Sequence, residues 1–319
     1  MPRSAPVSTL VAVVLAGTVT GCNTAPEAEG FRLPVASPTA TAAPTASPSP
    51  LPSPIEAPAP QLPLGGRTMF PRYQVVAYYG TAGNPAMGVL GEGSPEVMLP
   101  RLRATGARFA RANRQVQVAY ELIVTVAQAS PGADGNYSKT IDLTKVQRYV
   151  EAARRHKVLL VLDVQPGRTD FLTEVKKLHR FLVEPHVGIA LDPEWRMAAD
   201  QVPGRVIGSV RAAEVNAVSA YVADIVRDHN LPEKLFLLHQ FKSSMVTDIA
   251  AVRRRPGLAM VQHIDGFGTR AAKDATFAGL RRPGQFHVGY KLFYDEDVNI
   301  YTPREVLRFR PTPEYVSYQ

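Results

Sequence analysis

The 319-residue chain has a single cysteine, Cys22, and a single tryptophan, Trp195. One thiol has no intrachain partner, so no internal disulfide forms. No apolar run reaches the roughly 20 residues that a membrane-spanning helix needs. No glycine-rich phosphate loop follows a strand. Gly88-Val89-Leu90-Gly91-Glu92-Gly93 has neither a strand directly before it nor a Lys-Ser/Thr after it, which argues against a dinucleotide fold. The Gly-x-Ser-x-Gly elbow of serine hydrolases is also missing, and Gly208-Ser209 reads as a helix cap. The formal net charge is +8, yet no basic stripe with interleaved aromatics stands out, so nucleic acid is not an expected partner.

What is present begins with an export signal. Residues 1–21 carry a basic start at Arg3, a short apolar core from Val7 to Gly17 and small residues before a cut site. Val19-Thr20-Gly21-Cys22 resembles the lipobox of bacterial lipoproteins. The resemblance implies cleavage before Cys22, diacylglycerol on its thiol and an acylated amino group. It thereby removes a cysteine nucleophile and a cysteine-ligated zinc from consideration, and makes the outer face of the cell membrane the expected location. Residues 22–66 are rich in Pro, Ala, Ser and Thr, and their only charges are Glu27, Glu29, Arg32 and Glu56. Such a composition buries too little apolar surface to offset its ordering entropy. Its prolines favour an extended tether at about 3.1 Å per residue.

Residues 67–319 have the size of a (β/α)₈ barrel, about 250 residues. Apolar runs at Tyr73–Tyr79, Val116–Ala127, Val158–Gln165, Val187–Trp195, Leu235–Phe241, Leu258–Phe267, Phe286–Asp295 and Glu314–Tyr318 read as eight strands. Near-continuous apolar strands imply burial on both faces, as in a parallel sheet covered by helices. Helical spacing recurs at Leu143, Val146, Tyr149, Val150 and Ala153, and again from Val215 to Val226. Thr169 is placed to cap a helix bearing Phe171, Leu172, Val175, Leu178 and Leu182. Thr302-Pro303-Arg304-Glu305 forms a capping box with proline at the first helical position. Residues 84–115 read as irregular. The expected fold is therefore an α/β, TIM-barrel-like single domain whose eighth strand is the last element.

Several of these strands start apolar and end polar, and in such barrels chemistry sits at the C-terminal strand ends. The ends are Asp163-Val164-Gln165, Asp192-Pro193-Glu194-Trp195, His239-Gln240, His263-Ile264-Asp265, and Lys291 followed by Tyr294-Asp295. Residues two apart share a strand face, so Asp163 pairs with Gln165, Asp192 with Glu194 and His263 with Asp265. A polar rim of this kind is costly to bury unless its groups are paired or used.

Two carboxyl groups, one protonated and one ionised, are the minimum for glycoside hydrolysis. Asp192 and Glu194 meet that requirement, as does Glu194 with Asp265 or Asp295. Trp195, Tyr78, Tyr79 and Tyr294 offer faces for sugar rings. His239, Gln240, His263, Lys291, Asp163 and Gln165 are expected to position substrate. Asp192-Pro193-Glu194 resembles, in position and spacing, the Asp-x-Glu of family 25 glycoside hydrolases. That resemblance implies a proton donor at Glu194 and an assisting aspartate at Asp192. The family's aspartate at the end of the first strand is replaced here by Tyr78-Tyr79-Gly80. The expected protein is a lipid-anchored, monomeric envelope glycosidase of an unassigned family, with no cofactor or metal and with carbohydrate or an anionic wall polymer as partner. The alternatives are a non-catalytic glycan-binding or structural lipoprotein and, third, a metal-dependent hydrolase using His239, His263 and Asp265. A Schiff base at Lys291 requires that lysine to be desolvated.

Overall fold

The structure is a computed structural model, and it describes residues 58–319. Residues 19–22, which resemble a lipobox, and most of the Pro-rich stretch lie outside the described residues. Eight parallel strands alternate with helices: β1 (Tyr73–Gly80), β2 (Gln115–Ala127), β3 (Leu159–Val164), β4 (Val187–Leu191), β5 (Lys234–Gln240), β6 (Leu258–Ile264), β7 (His287–Leu292) and β8 (Tyr315–Tyr318). Each strand pairs with the next, and β8 returns to β1 through Val75↔Tyr315, which closes the barrel. A short strand, Ser138–Thr140, extends β2 antiparallel beyond the rim. Among the described residues, no helix is long and apolar enough to cross a membrane.

Alternation along each strand separates two cores. Outward-facing residues such as Val76, Tyr120, Leu162 and Phe236 pack under the helices in one large cluster. The inward-facing set fills the lower barrel with Tyr73, Val75, Ala77, Ala119, Val161, Leu237 and Val261. Leu62, Met69 and Phe70 close that lower end. The packed domain thus reaches back into the segment read as tether, because Leu62 is buried.

The helices are α1 (Pro95–Ala107), α2 (Leu143–His156), α3 (Phe171–Lys177), α4 (His179–Leu182), α5 (Ala212–Asp228), α6 (Arg270–Leu280) and α7 (Pro303–Val306). The capping box at Thr302 is formed, with Thr302 and Glu305 each serving the other's backbone. Three local expectations are corrected. The stretch read as irregular contains α1, started by the Ser94 cap and by Pro95, whose missing N–H costs nothing in the first turn. Asp170, not Thr169, caps α3, its carboxylate accepting from the Thr173 amide at 2.9 Å. Gly208 and Ser209 precede α5 without capping it, since the N-cap residue is Arg211.

Candidate active site

The upper half of the barrel interior is polar, and every strand contributes to it. Tyr79 comes from β1, Glu121 from β2, Asp163 from β3, His239 from β5, His263 from β6, Lys291 from β7, and Tyr315 and Ser317 from β8. Asp192 follows β4, and Asp265 follows β6. All ten are buried. Above them opens a cavity of about 630 Å³. Asp192, Glu194, Trp195, Asp265, Lys291 and Gln165 are among its walls. Phe241, Phe267 and Phe293 line it as well, and Phe267 at the mouth is 64% exposed.

A chain of hydrogen bonds crosses the floor. Tyr315 donates its hydroxyl to Glu121 Oε2 at 2.9 Å. Glu121 Oε1 meets His239 Nε2 at 2.9 Å, and His239 Nδ1 meets Asp265 Oδ2 at 2.8 Å. An imidazole with a carboxylate on each nitrogen can serve both only as a double donor, hence as the imidazolium. Burial alone would lower the His239 pKa, but the hydrogen bonds and charges of Asp265 and Glu121 outweigh it and hold it well above the ordinary value. Burial likewise raises Glu121, and the His239 hydrogen bond overrides it, leaving the acid at about 2. Asp265 is also held below its usual range by His239, against burial. Its Oδ2 is taken by the imidazolium, while Oδ1 has no hydrogen-bond partner.

The other acids are displaced the opposite way. Glu194 is pushed up to about 7, first by burial and then by the Asp265 charge. Burial, with the charges of Asp163 and Glu194, lifts Asp192 well above the ordinary aspartate value. Asp163 rises to about 6 through burial and the Glu121 charge. Neither of its oxygens has a hydrogen-bond partner, although His239 Nε2 lies 3.6 Å away. His263 is lowered by burial to about 3, so its ring is neutral, and its Nε2 meets Ser317 Oγ at 2.7 Å. The site therefore holds one carboxyl kept ionised (Asp265) and another that titrates near neutrality (Glu194) around the same cavity.

Local structure fixes these positions. After β4 the chain turns at once into Pro193–Trp195, which lifts Glu194 and Trp195 to the rim. Gly208 packs against that turn, its amide bonded to Glu194 O at 2.7 Å. A Cβ there would lie 2.6 Å from that oxygen. Gly289 leaves room for His263, whose Nδ1 a Cβ would approach to 2.5 Å. Lys273 bridges Asp297 at 2.9 Å and donates to Gly266 O and Lys291 O, tying the loop after Asp265 to β7.

Of the residues singled out from sequence, Asp192, Glu194, Trp195, Asp265, Gln165, Lys291 and Tyr79 meet at the cavity. Asp163, His239 and His263 lie in the barrel beneath it. Four are elsewhere. Tyr78 points outward, its hydroxyl on Thr105 Oγ1 at 2.7 Å. Gln240 also faces the helices, accepting from Gln262 Nε2 at 2.8 Å. Tyr294 stacks on Tyr318 outside the cavity, and Asp295 is exposed to solvent. β7 ends at Leu292, so the inward alternation carries through Phe293 and no further. Glu121 and Tyr315 escaped the sequence reading altogether.

Lys291 is desolvated, with its ammonium 3.3 Å from the Tyr79 ring centroid and paired with no carboxylate among the described residues. For a metal, donor atoms of Glu121, His239 and His263, and those of Asp192, His239 and Asp265, lie within 4.8 Å of one another. His239 belongs to both sets, and to ligate a cation its ring would release a proton that it now shares with Glu121 and Asp265. No family model matches this chain, and no curated protein matches it.

Proposed function

We propose that the barrel hydrolyses a glycosidic bond, with Glu194 as general acid and base and Asp265 as nucleophile or water-activating base. The observation that carries this reading is the separation of the two acids within one cavity. Asp265 is ionised with one unpartnered oxygen, and Glu194 holds its proton up to about 7. A pair of titratable groups pushed apart by their surroundings is the arrangement acid–base chemistry on a glycoside needs. Glu194 protonates the departing glycosidic oxygen, and the Asp265 carboxylate serves the anomeric carbon or the attacking water. Asp192 hydrogen-bonds a substrate hydroxyl beside them, and Lys291 balances the charge of Asp265. The aromatic lip of Trp195, Phe241, Phe267 and Phe293 supplies faces on which sugar rings stack.

The signal-like segment and lipobox at Cys22 support placing this enzyme on the outer face of the membrane, tethered by its Pro-rich stretch, with an envelope polysaccharide as substrate. Cys22→Ala is expected to move the protein from the detergent phase to the aqueous phase on partitioning. The activity is tested by reducing-end release from a panel of envelope glycans. Wild type is expected to turn over at least one. Glu194→Gln, with unchanged thermal stability, is expected to lose about three orders of magnitude or more. Normal turnover by Glu194→Gln removes Glu194 from the mechanism. Binding of glycans without turnover by wild type replaces the enzyme with a binding module.

A further inference from the structure

At the opposite pole, where the strands begin, a second cavity of about 450 Å³ is lined by Arg111, Arg114, Arg254, Phe286, His287 and Glu314, among others. Glu314 is the one carboxylate on this wall, and its two oxygens are already engaged. Oε1 accepts from Arg114 at 3.2 Å, and Oε2 meets the His287 ring. Among the described residues, Arg111 and Arg254 pair with no carboxylate. Arg111 is nevertheless held in place. One of its terminal nitrogens donates to Gln74 Oε1 at 2.9 Å, and Gln74 is wholly buried, its own amide donating to the Pro313 and Glu314 carbonyls. Burial, and then the charge of Arg114, lower the pKa of Arg111. Arg111 is thus an exposed cation that sits beside a second one, with Glu314 as the nearby acid.

From this cradle we infer that the pole opposite the candidate active site carries a binding site for a phosphoryl group, as a phosphate monoester or diester. Three arginines line one cavity whose single carboxylate is spent. A carboxylate ligand offers two coplanar oxygens and satisfies a single fork, whereas the tetrahedral array of a monoester (three terminal oxygens) or a diester (two terminal and two bridging) reaches several forks at once. Phe286, Pro283 and Pro311 form an apolar wall beside the arginines, suited to the alcohol of a small ester such as a glycerol phosphate unit. The site is independent of the hydrolytic reading, since it shares no residue with the upper cavity.

The test uses the full chain and calorimetric titration with glycerol 3-phosphate. One-to-one binding is expected, displaced by inorganic phosphate and not by acetate. The double variant Arg111→Ala/Arg254→Ala is expected to weaken it at least about tenfold by removing two charge-assisted forks. Arg205→Ala/Arg304→Ala, the same loss of charge from exposed positions outside the cavity, is expected to leave the affinity unchanged. Vesicles of phosphatidylglycerol identify the source. Vesicle binding displaced by glycerol 3-phosphate makes it a lipid headgroup, and ester binding without vesicle binding makes it a soluble or polymeric phosphate. Equal weakening in both double variants, or no saturable binding of the ester, overturns the assignment.

Discussion

His239→Gln removes the cation that serves two buried carboxylates at once. Glu121 is held at about 2 against an ordinary 4.5, which by proton linkage corresponds to on the order of 3 kcal/mol of folding free energy at neutral pH. The folded value is the lower one. That stabilisation is therefore complete above about pH 4.5 and disappears as the pH falls through 2. His239 has the opposite sign. Its folded pKa is raised above 6.5, so its contribution is full below that value and is lost as the pH rises through the folded one. Removing one partner of a buried pair costs roughly 3–5 kcal/mol, because it strands an uncompensated charge. Urea unfolding is expected to register a loss of that size for His239→Gln at pH 7. At pH 3 the loss is expected to fall to less than half, since Glu121 is protonated in the unfolded chain and without His239 it is protonated in the folded one too. Adding Glu121→Gln to the variant is expected to restore part of the stability at pH 7 by deleting the stranded charge. An equal loss at both pH values, or a double variant no more stable than the single one, would refute the imidazolium bridge.

Other substitutions probe how the site is held. Gly208→Ala drives a Cβ to 2.6 Å from Glu194 O and is expected to cost about 1–3 kcal/mol and to lower turnover on an envelope glycan by displacing the Glu194 turn. An unchanged melting temperature with unchanged turnover would contradict it. Lys273→Met removes the cation from the buried Asp297 carboxylate, which keeps only the Gly268 and Phe293 amides beneath the loop after Asp265. It is expected to destabilise by roughly 3–5 kcal/mol and to raise hydrogen exchange at Gly266–Gly268, whereas unchanged protection of that loop would mean the ion pair does not secure it.

The barrel was legible because its strands carry continuous apolar runs between helices of clear period, and because Thr302–Glu305 is a complete cap. α1 was not, because Pro95 and Pro100 look like breakers when the first is a helix starter and the second is tolerated on an exposed turn. The acids on the strand ends announced themselves by interrupting apolar runs, and Asp192, Glu194 and Asp265 do share a cavity. Glu121 carries the same signal, a lone carboxylate between Tyr120 and Leu122, but it lies mid-strand. Only the register Tyr79↔Glu121 places it in the polar layer. Tyr294 and Asp295 were misplaced because alternation was extended past the last hydrogen-bonded residue of β7. Tyr78 and Gln240 were grouped with the rim by sequence adjacency, although each is one residue out of phase with its inward neighbours Tyr79 and His239.

The most direct measurement is a carbon-13 carboxyl titration by nuclear magnetic resonance, in which Glu194→Gln identifies the Glu194 signal by its disappearance. The account predicts titration near 7 in the wild type and a lower value in Asp265→Asn, where the neighbouring charge is gone. A Glu194 signal titrating at the ordinary glutamate value of about 4.5, insensitive to Asp265, would contradict it.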